Sequence, residues 1–155
     1  MIEKIINKDE VVSFLDSWKS GVVNIGQTYT ENNDFVSVAK DFISKHYNFN
    51  EGEVLFKPTF TKEVIFRNNK EDALSYFVKG NIPEDKGFAI QPWTNVRFEN
   101  SEIIVQGNTA LAMGNYYFTD TDGGETAVEY TFGYIMDDHG NLRINLHHSS
   151  VPFSG

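Results

Sequence analysis

An α+β fold, with helices early in the chain and an antiparallel sheet after them, is predicted by three observations. Apolar residues recur at intervals of three and four from Val11 to His46, the spacing that lines one face of a helix. From Gly87 onward the interval becomes two, as along a strand with one buried face. Short turns rich in Gly, Asp and Asn then separate one strand-like run from the next. This order places helices on one face of a meander of long strands. A chain of 155 residues is long enough to bury a core, and no linker or repeat divides it, so one domain over 1–155 is expected.

The first helix is expected from Asn7 to about Tyr29, with Asn7 and Glu10 at capping-box spacing and Val11, Leu15, Trp18, Val22 and Ile25 on its apolar face. The second runs from Asp34 to Tyr47. His46 lies on its apolar face and reads as a satisfied core or rim histidine rather than a ligand. EVLFKPTF and EVIFRN read as short strands, the first interrupted by Pro58. Asn69 caps a short helix over Lys70–Lys79, with Glu71 and Asp72 in its first turn and Gly80 beyond its end. Asn81 to Lys86 is a loop. GFAIQPWTNVRFE, EIIVQ, TALAMGNYYFT and the closing hairpin follow as strands.

Composition narrows the function classes. A formal charge of −9 argues against a nucleic-acid partner, which requires a basic surface. Absence of cysteine excludes disulfides, thiolate metal sites and cysteine nucleophiles. MIEKIINKDE has acidic residues and no apolar run of signal-peptide length, and no later window is long enough to span a membrane, so a cytoplasmic location is expected. No cofactor is implied.

The closing hairpin, Val128–Met136 and Leu142–His148, carries the most information. Tyr130, Phe132 and Tyr134 share a face with Ile144, Leu146 and His148, while Glu129, Thr131, Gly133, Arg143, Asn145 and His147 take the other. Asp137 to Asn141 supply the turn, with Gly140 suited to positive φ.

The runs VLFKPTF, ALSYFV, GFAIQPW, ALAMGNYYFTD, VEYTFGY and LHHSSVPF, in this order and spacing from Trp18 to Phe153, resemble bacterial proteins similar to the association domain of calcium/calmodulin-dependent protein kinase II. These belong to the nuclear transport factor 2-like superfamily, with the SnoaL-type cyclases and ketosteroid isomerases. The resemblance implies a cone, in which a strongly curved antiparallel sheet and the N-terminal helices enclose a pocket. It also implies a homodimer or larger homo-oligomer formed through the other sheet face. Such a fold hosts enzymes, binding modules and scaffolds alike.

Pairing Asp120 with Glu125 at the TDGG turn sets Asn115 opposite Tyr130, and the DDHG turn sets Tyr130 opposite His148. Asn115, Tyr130 and His148 then form one rung on the pocket face, with Met113, Phe132 and Leu146 as the next. A slip of one residue brings Glu129 or His147 there instead and turns the apolar set outward, so burial favours the first register. Trp93, Tyr117, Phe56 and Trp18 supply apolar walls. In the kinase domain the corresponding strands present arginines, matched here by Asn115, Phe132 and His148, so the resemblance implies a neutral or weakly polar ligand rather than a small anion.

Adjacent strand residues point to opposite faces, so His147 and His148 do not share a metal, and no metal site is expected. Ser149 and Ser150 read as a strand end rather than a nucleophile, and DTDGGE as a turn rather than a calcium loop. The functional expectation is a self-associating ligand-binding domain and not an enzyme. One alternative is a small lyase or isomerase with His148 as general acid or base, Tyr130 as an oxyanion donor and Asp34 or Asp41 as partner. The other is a pure oligomerisation scaffold with Tyr116 and Phe118 on the outer face.

Overall fold

The computed structural model describes residues 5–155. The expectation of a cytoplasmic location rests partly on residues 1–4, which lie outside the described residues.

Helix α1 is Lys8–Thr30. Asn7 opens it by accepting the Glu10 backbone N–H at 2.9 Å, while the Glu10 carboxylate accepts the Asn7 N–H at 3.2 Å, which satisfies two donors that a helix start leaves orphaned. Helix α2, Phe35–His46, is capped by the Asp34 carboxylate, which accepts the Ser37 N–H at 3.1 Å. Strand β1 (Leu55–Lys57) and helix α3 (Lys70–Val78) follow, and then strands β2 (Asn95–Gln106), β3 (Thr109–Thr119), β4 (Glu125–Met136) and β5 (Leu142–Ser150). The sheet order is β1-β5-β4-β3-β2. The α+β architecture is therefore as expected, with helices against the inner face of an open, curved sheet.

Three local expectations are corrected. GFAIQPWTNVRFE is not extended throughout: Phe88–Ile90 is a turn of 3-10 helix, and the strand starts at Asn95 and runs through to Gln106. EVIFRN is not a strand, because the N–H groups of Lys62, Glu63 and Val64 all donate to the Glu84 carboxylate at 2.7–2.8 Å instead of to a neighbouring strand. Finally, β1 pairs parallel to β5, with Phe56 beside His147, so the sheet is mixed at that edge.

Both hairpins depart from the expected register, for separate reasons. At the first turn the Asp120 carboxylate accepts the N–H groups of Asp122 and Gly124, each at 2.9 Å. Asp120 is thus consumed by the turn, Thr119 pairs with Glu125, and Asn115 faces Glu129. At the second, Asp137 accepts from His139 and Asn141, Gly140 takes φ 82°, and Met136 pairs with Leu142 and Tyr134 with Ile144, as parity requires. One step further on, Gly133 pairs with Leu146, leaving Asn145 as the extra residue of a β-bulge. Beyond it every side chain of β5 is on the opposite face from the one expected.

The core lies between α1, α2, α3 and the inner sheet face. Trp18 is 1% exposed and packs against Tyr116, Phe132 and His147, with centroids 5.6, 5.7 and 5.9 Å away. Burying an aromatic of this size contributes on the order of 2–3 kcal/mol.

Candidate active site

The bulge sends His147 and Ser149 inward. His147 is 3% exposed, with Phe56 stacked on it at 4.7 Å and 12° from parallel and Phe132 edge-on at 4.3 Å. Its Nδ1 lies 2.9 Å from the Tyr47 hydroxyl, which also accepts the Trp18 indole N–H at 3.2 Å. Its Nε2 lies 2.9 Å from Ser149 Oγ and 3.2 Å from the Tyr116 hydroxyl. Tyr116 and Ser149 are themselves hydrogen-bonded.

The polar line continues toward the surface. Thr59 neighbours the phenols of both Tyr116 and Tyr76, and the Phe60 N–H donates to the Tyr76 hydroxyl at 3.4 Å. Thr59 and Tyr76, with Phe60, Phe88 and Trp93, line a cavity of about 620 Å³.

Local structure holds these groups in place. Pro58 and Thr59 follow β1 directly, and the segment beyond is tied down by Arg67. The guanidinium of Arg67 is fully buried and makes a two-pronged contact with the Asp85 carboxylate at 2.7 and 2.8 Å. Ser75, on α3 next to Tyr76, donates to the same carboxylate at 2.6 Å. One buried ion pair therefore joins the loop that carries Thr59 to the helix that carries Tyr76.

Electrostatically the site is neutral. Burial pushes the His147 imidazole well below the usual histidine range, with the neighbouring His148 a smaller contribution in the same direction. Burial likewise raises the Tyr47, Tyr76 and Tyr116 phenols far above theirs. At neutral pH the cluster is an uncharged imidazole and a set of protonated hydroxyls, able to donate to oxygen atoms on which negative charge grows.

The residues expected at the site are distributed differently. Trp18, Tyr130 and Phe132 are buried on the inner face, Trp93 lines the cavity mouth, and Phe56 stacks on His147. Asn115, Tyr117 and Met113 are on the outer face, Met113 at 57% exposure, because the turn at Asp120 shifts β3 by one. His148 is exposed on that face too, opposite Thr131, because of the bulge. Asn115 and His148 border a separate outer hollow of about 570 Å³, and the Tyr130 hydroxyl bonds to Asn100. Tyr116 and Phe118, expected outside, are buried at 2% and 1%. Asp34 and Asp41 are exposed and away from His148. His46 has two polar partners, Ser17 at 2.9 Å and the Phe42 carbonyl at 2.8 Å. Among the described residues no group of three His, Asp or Glu side chains is placed to hold a metal ion.

Sequence reasoning missed Thr59, Tyr76, Tyr116, Tyr47 and Ser149. A visible signal was the glycine at 133, since an isolated Gly within a strand pattern is a mark of a bulge.

Fold and buried cluster together define a protein of nuclear transport factor 2-like fold with a neutral polar site. A calcium/calmodulin-dependent protein kinase II association domain from Xanthomonas campestris aligns over 100% of this chain and 99% of its own with a TM-score of 0.68, at 18% identity. A nuclear transport factor 2-like protein from Pseudomonas putida gives a TM-score of 0.58 over 95% of this chain and 87% of its own, at 14% identity. Both show the fold alone.

The chain belongs to the metal-independent carbonic anhydrase family, whose model matches residues 9–151. It is 39% identical over 158 residues to the metal-independent carbonic anhydrase of Nostoc sp., spanning 99% of this chain and 77% of the relative. The crystal structure of a cyanobacterial iota-carbonic anhydrase complexed with bicarbonate aligns with a TM-score of 0.96, at 38% identity, over 100% of this chain and 98% of that one. Membership of an enzyme family overturns the expectation of a non-catalytic binding domain or scaffold, and with it the alternative of an isomerase or lyase built on His148.

Proposed function

We propose that this chain interconverts carbon dioxide and bicarbonate at the cluster of His147, Ser149 and Tyr116, reached past Thr59 and Tyr76. The observation that carries this reading is a neutral, donor-rich cluster set in an aromatic wall, in a chain of this family. Bicarbonate in the cyanobacterial relative supports it. The sequence-based argument against a small anion rested on positions 115, 132 and 148, two of which lie on the outer face.

Carbon dioxide carries no net charge and enters aromatic surroundings with little desolvation cost. Attack by water forms one carbon–oxygen bond, the π pair of one C=O moves onto its oxygen, and one water proton passes to solvent at the cavity mouth. The product is bicarbonate, and atoms and charge balance. Negative charge grows on oxygens that the hydroxyls face, with the imidazole N–H behind Ser149, and donors fixed in advance stabilise that charge without reorganising. Held by neutral donors rather than an arginine fork, the anion also leaves readily.

Stopped-flow hydration of carbon dioxide, run with chelator present, tests this. Ser149→Ala and His147→Ala are each expected to lower kcat by about 10²-fold, the scale of losing one oxyanion donor, with circular dichroism showing a folded chain. A wild-type rate in His147→Ala, or no rate above buffer for the native chain, ends the proposal.

Self-association through the outer sheet face belongs to the same proposal. Ile104, Leu111 and Met113 are 50–57% exposed there, and an apolar patch on a sheet face suits a subunit contact. A monomer mass by light scattering at tens of micromolar removes it.

A further inference from the structure

We infer that Tyr47, backed by Trp18, is a positioning residue that fixes His147 in the tautomer bearing its proton on Nε2, so that the imidazole faces the pocket as a neutral donor and not as a base. The inference concerns the site proposed above and rests on that reading for its catalytic consequence. Its structural core stands on three contacts.

The Trp18 indole nitrogen only donates. It lies 3.2 Å from the Tyr47 hydroxyl, so that oxygen accepts. The phenol hydrogen then needs an acceptor of its own, and His147 Nδ1 at 2.9 Å is in place to serve. A nitrogen that accepts carries no proton, so the neutral ring holds its hydrogen on Nε2. From there it donates to Ser149 Oγ at 2.9 Å, with Tyr116 at 3.2 Å.

The opposite tautomer fails this accounting. A proton on Nδ1 would present Tyr47 with two donors, the indole and the imidazole, and strand the phenol hydrogen in a fully buried position. A doubly protonated ring fails for the same reason. The groups packed against it are Trp18 from α1, Tyr47 after α2, Phe56 from β1, Tyr116 from β3, Phe132 from β4 and Ser149 from β5, with no carboxylate among them.

The hydrogen bonds therefore run in one direction, from Trp18 through Tyr47 and His147 to Ser149. Each of these donors points toward Ser149. The proton lost by the attacking water does not go to His147, whose free lone pair is occupied by Tyr47. It leaves to solvent, and His147 polarises the Ser149 hydroxyl that meets the substrate oxygen.

Nitrogen-15 NMR of the labelled full chain at neutral pH reads the tautomer directly. The native protein should show His147 Nε2 protonated and Nδ1 unprotonated. A protonated Nδ1, alone or together with Nε2, overturns the inference. In Tyr47→Phe the two tautomers should mix, and kcat for carbon dioxide hydration should fall by about tenfold with KM changed less than about twofold, the pattern of an interaction made only in the transition state. Trp18→Phe removes the second donor to Tyr47, so Nδ1–H should gain population in that variant, and a native tautomer in a folded Trp18→Phe overturns the backing role of Trp18. Native tautomer and native kcat together in a folded Tyr47→Phe overturn the role of Tyr47. An Nε2–H ring in a chain without hydration activity supports the tautomer assignment and defeats only the proposed reaction.

Discussion

Gly133 lies directly across from Leu146, and a Cβ placed on residue 133 would stand 2.9 Å from the Leu146 Cβ and 3.0 Å from Asn145 Oδ1. Absence of a side chain at this one position lets β5 carry its extra residue and rotate His147 inward. Gly133→Ala is therefore expected to destabilise the chain by about 1–3 kcal/mol, the range for overpacking, and to lower hydration activity by disturbing the bulge. Urea unfolding and stopped-flow rates check both, and an unchanged stability would show that the strand accommodates the methyl.

The two adjacent histidines should behave oppositely. His148→Ala removes an exposed side chain from the outer face and is expected to leave hydration within about twofold of native and stability within about 0.5 kcal/mol, as for surface substitutions in general. A loss of activity comparable with that of His147→Ala would contradict the assignment of faces.

Tyr134 presents another asymmetry. Its hydroxyl is buried without a hydrogen-bond partner among the described residues, and its phenol is held far above the usual range by that burial. Tyr134→Phe removes an unsatisfied polar atom while keeping the ring against Phe14 and Phe132. Stability should be unchanged or rise by about 1 kcal/mol, measured by thermal or urea unfolding. A loss above about 1 kcal/mol would mean that the hydroxyl has a partner such as ordered water.

Acid should weaken the fold through its buried histidines. Burial lowers His46 from 6.5 to about 4, so above pH 6.5 the ring is neutral whether the chain is folded or not, and its contribution is complete. As pH falls below 6.5 the unfolded chain takes up a proton that the native state refuses, and stability declines until about pH 4. His46 alone accounts for on the order of 3 kcal/mol at the acid end, and His147 acts in the same direction. Urea midpoints at about pH 7.5 and about pH 4.5 should differ accordingly, with the difference reduced in His46→Gln.

Separating Arg67 from Asp85 should be severe. Asp85→Ala leaves a fully buried guanidinium without its carboxylate, and breaking such a pair costs about 3–5 kcal/mol. Replacement of both residues by apolar side chains is expected to recover part of the stability but not the activity, because Thr59 and Tyr76 lose their common anchor. Recovery of both would show that the pair does not position the site.

Much of this fold is legible in the sequence because its signals are local. Asn7 with Glu10, Asp34 and Asn69 mark three helix starts, and the switch of apolar spacing after Gly87 marks the sheet. The cluster was not legible, since it depends on strand parity and parity is cumulative. One aspartate drawn into a turn and one bulge at Gly133 are each small events, yet the first turns the side chains of β3 over relative to β4 and the second turns over those of β5 beyond Asn145. Burial is a sound criterion for register, but in β5 it does not by itself choose between Leu146 with His148 and His147 with Ser149 as the inward pair. His147 and Ser149 satisfy the interior equally well once Tyr47 and Tyr116 supply their hydrogen bonds.

The irregularity in β2 between Asn100 and Glu102 has a consequence for how the chain behaves in a crowded solution. β2 is the last strand of the sheet, twelve residues long, and one side of its backbone has no neighbouring strand among the described residues, which makes it a template on which another extended chain can polymerise. The bulge breaks the even run of N–H and C=O groups midway, and the exposed side chains of Arg97, Glu99 and Glu102 set charge along the same border. A foreign strand therefore finds no stretch of uniform spacing longer than about half the edge, and must bury charge to use even that.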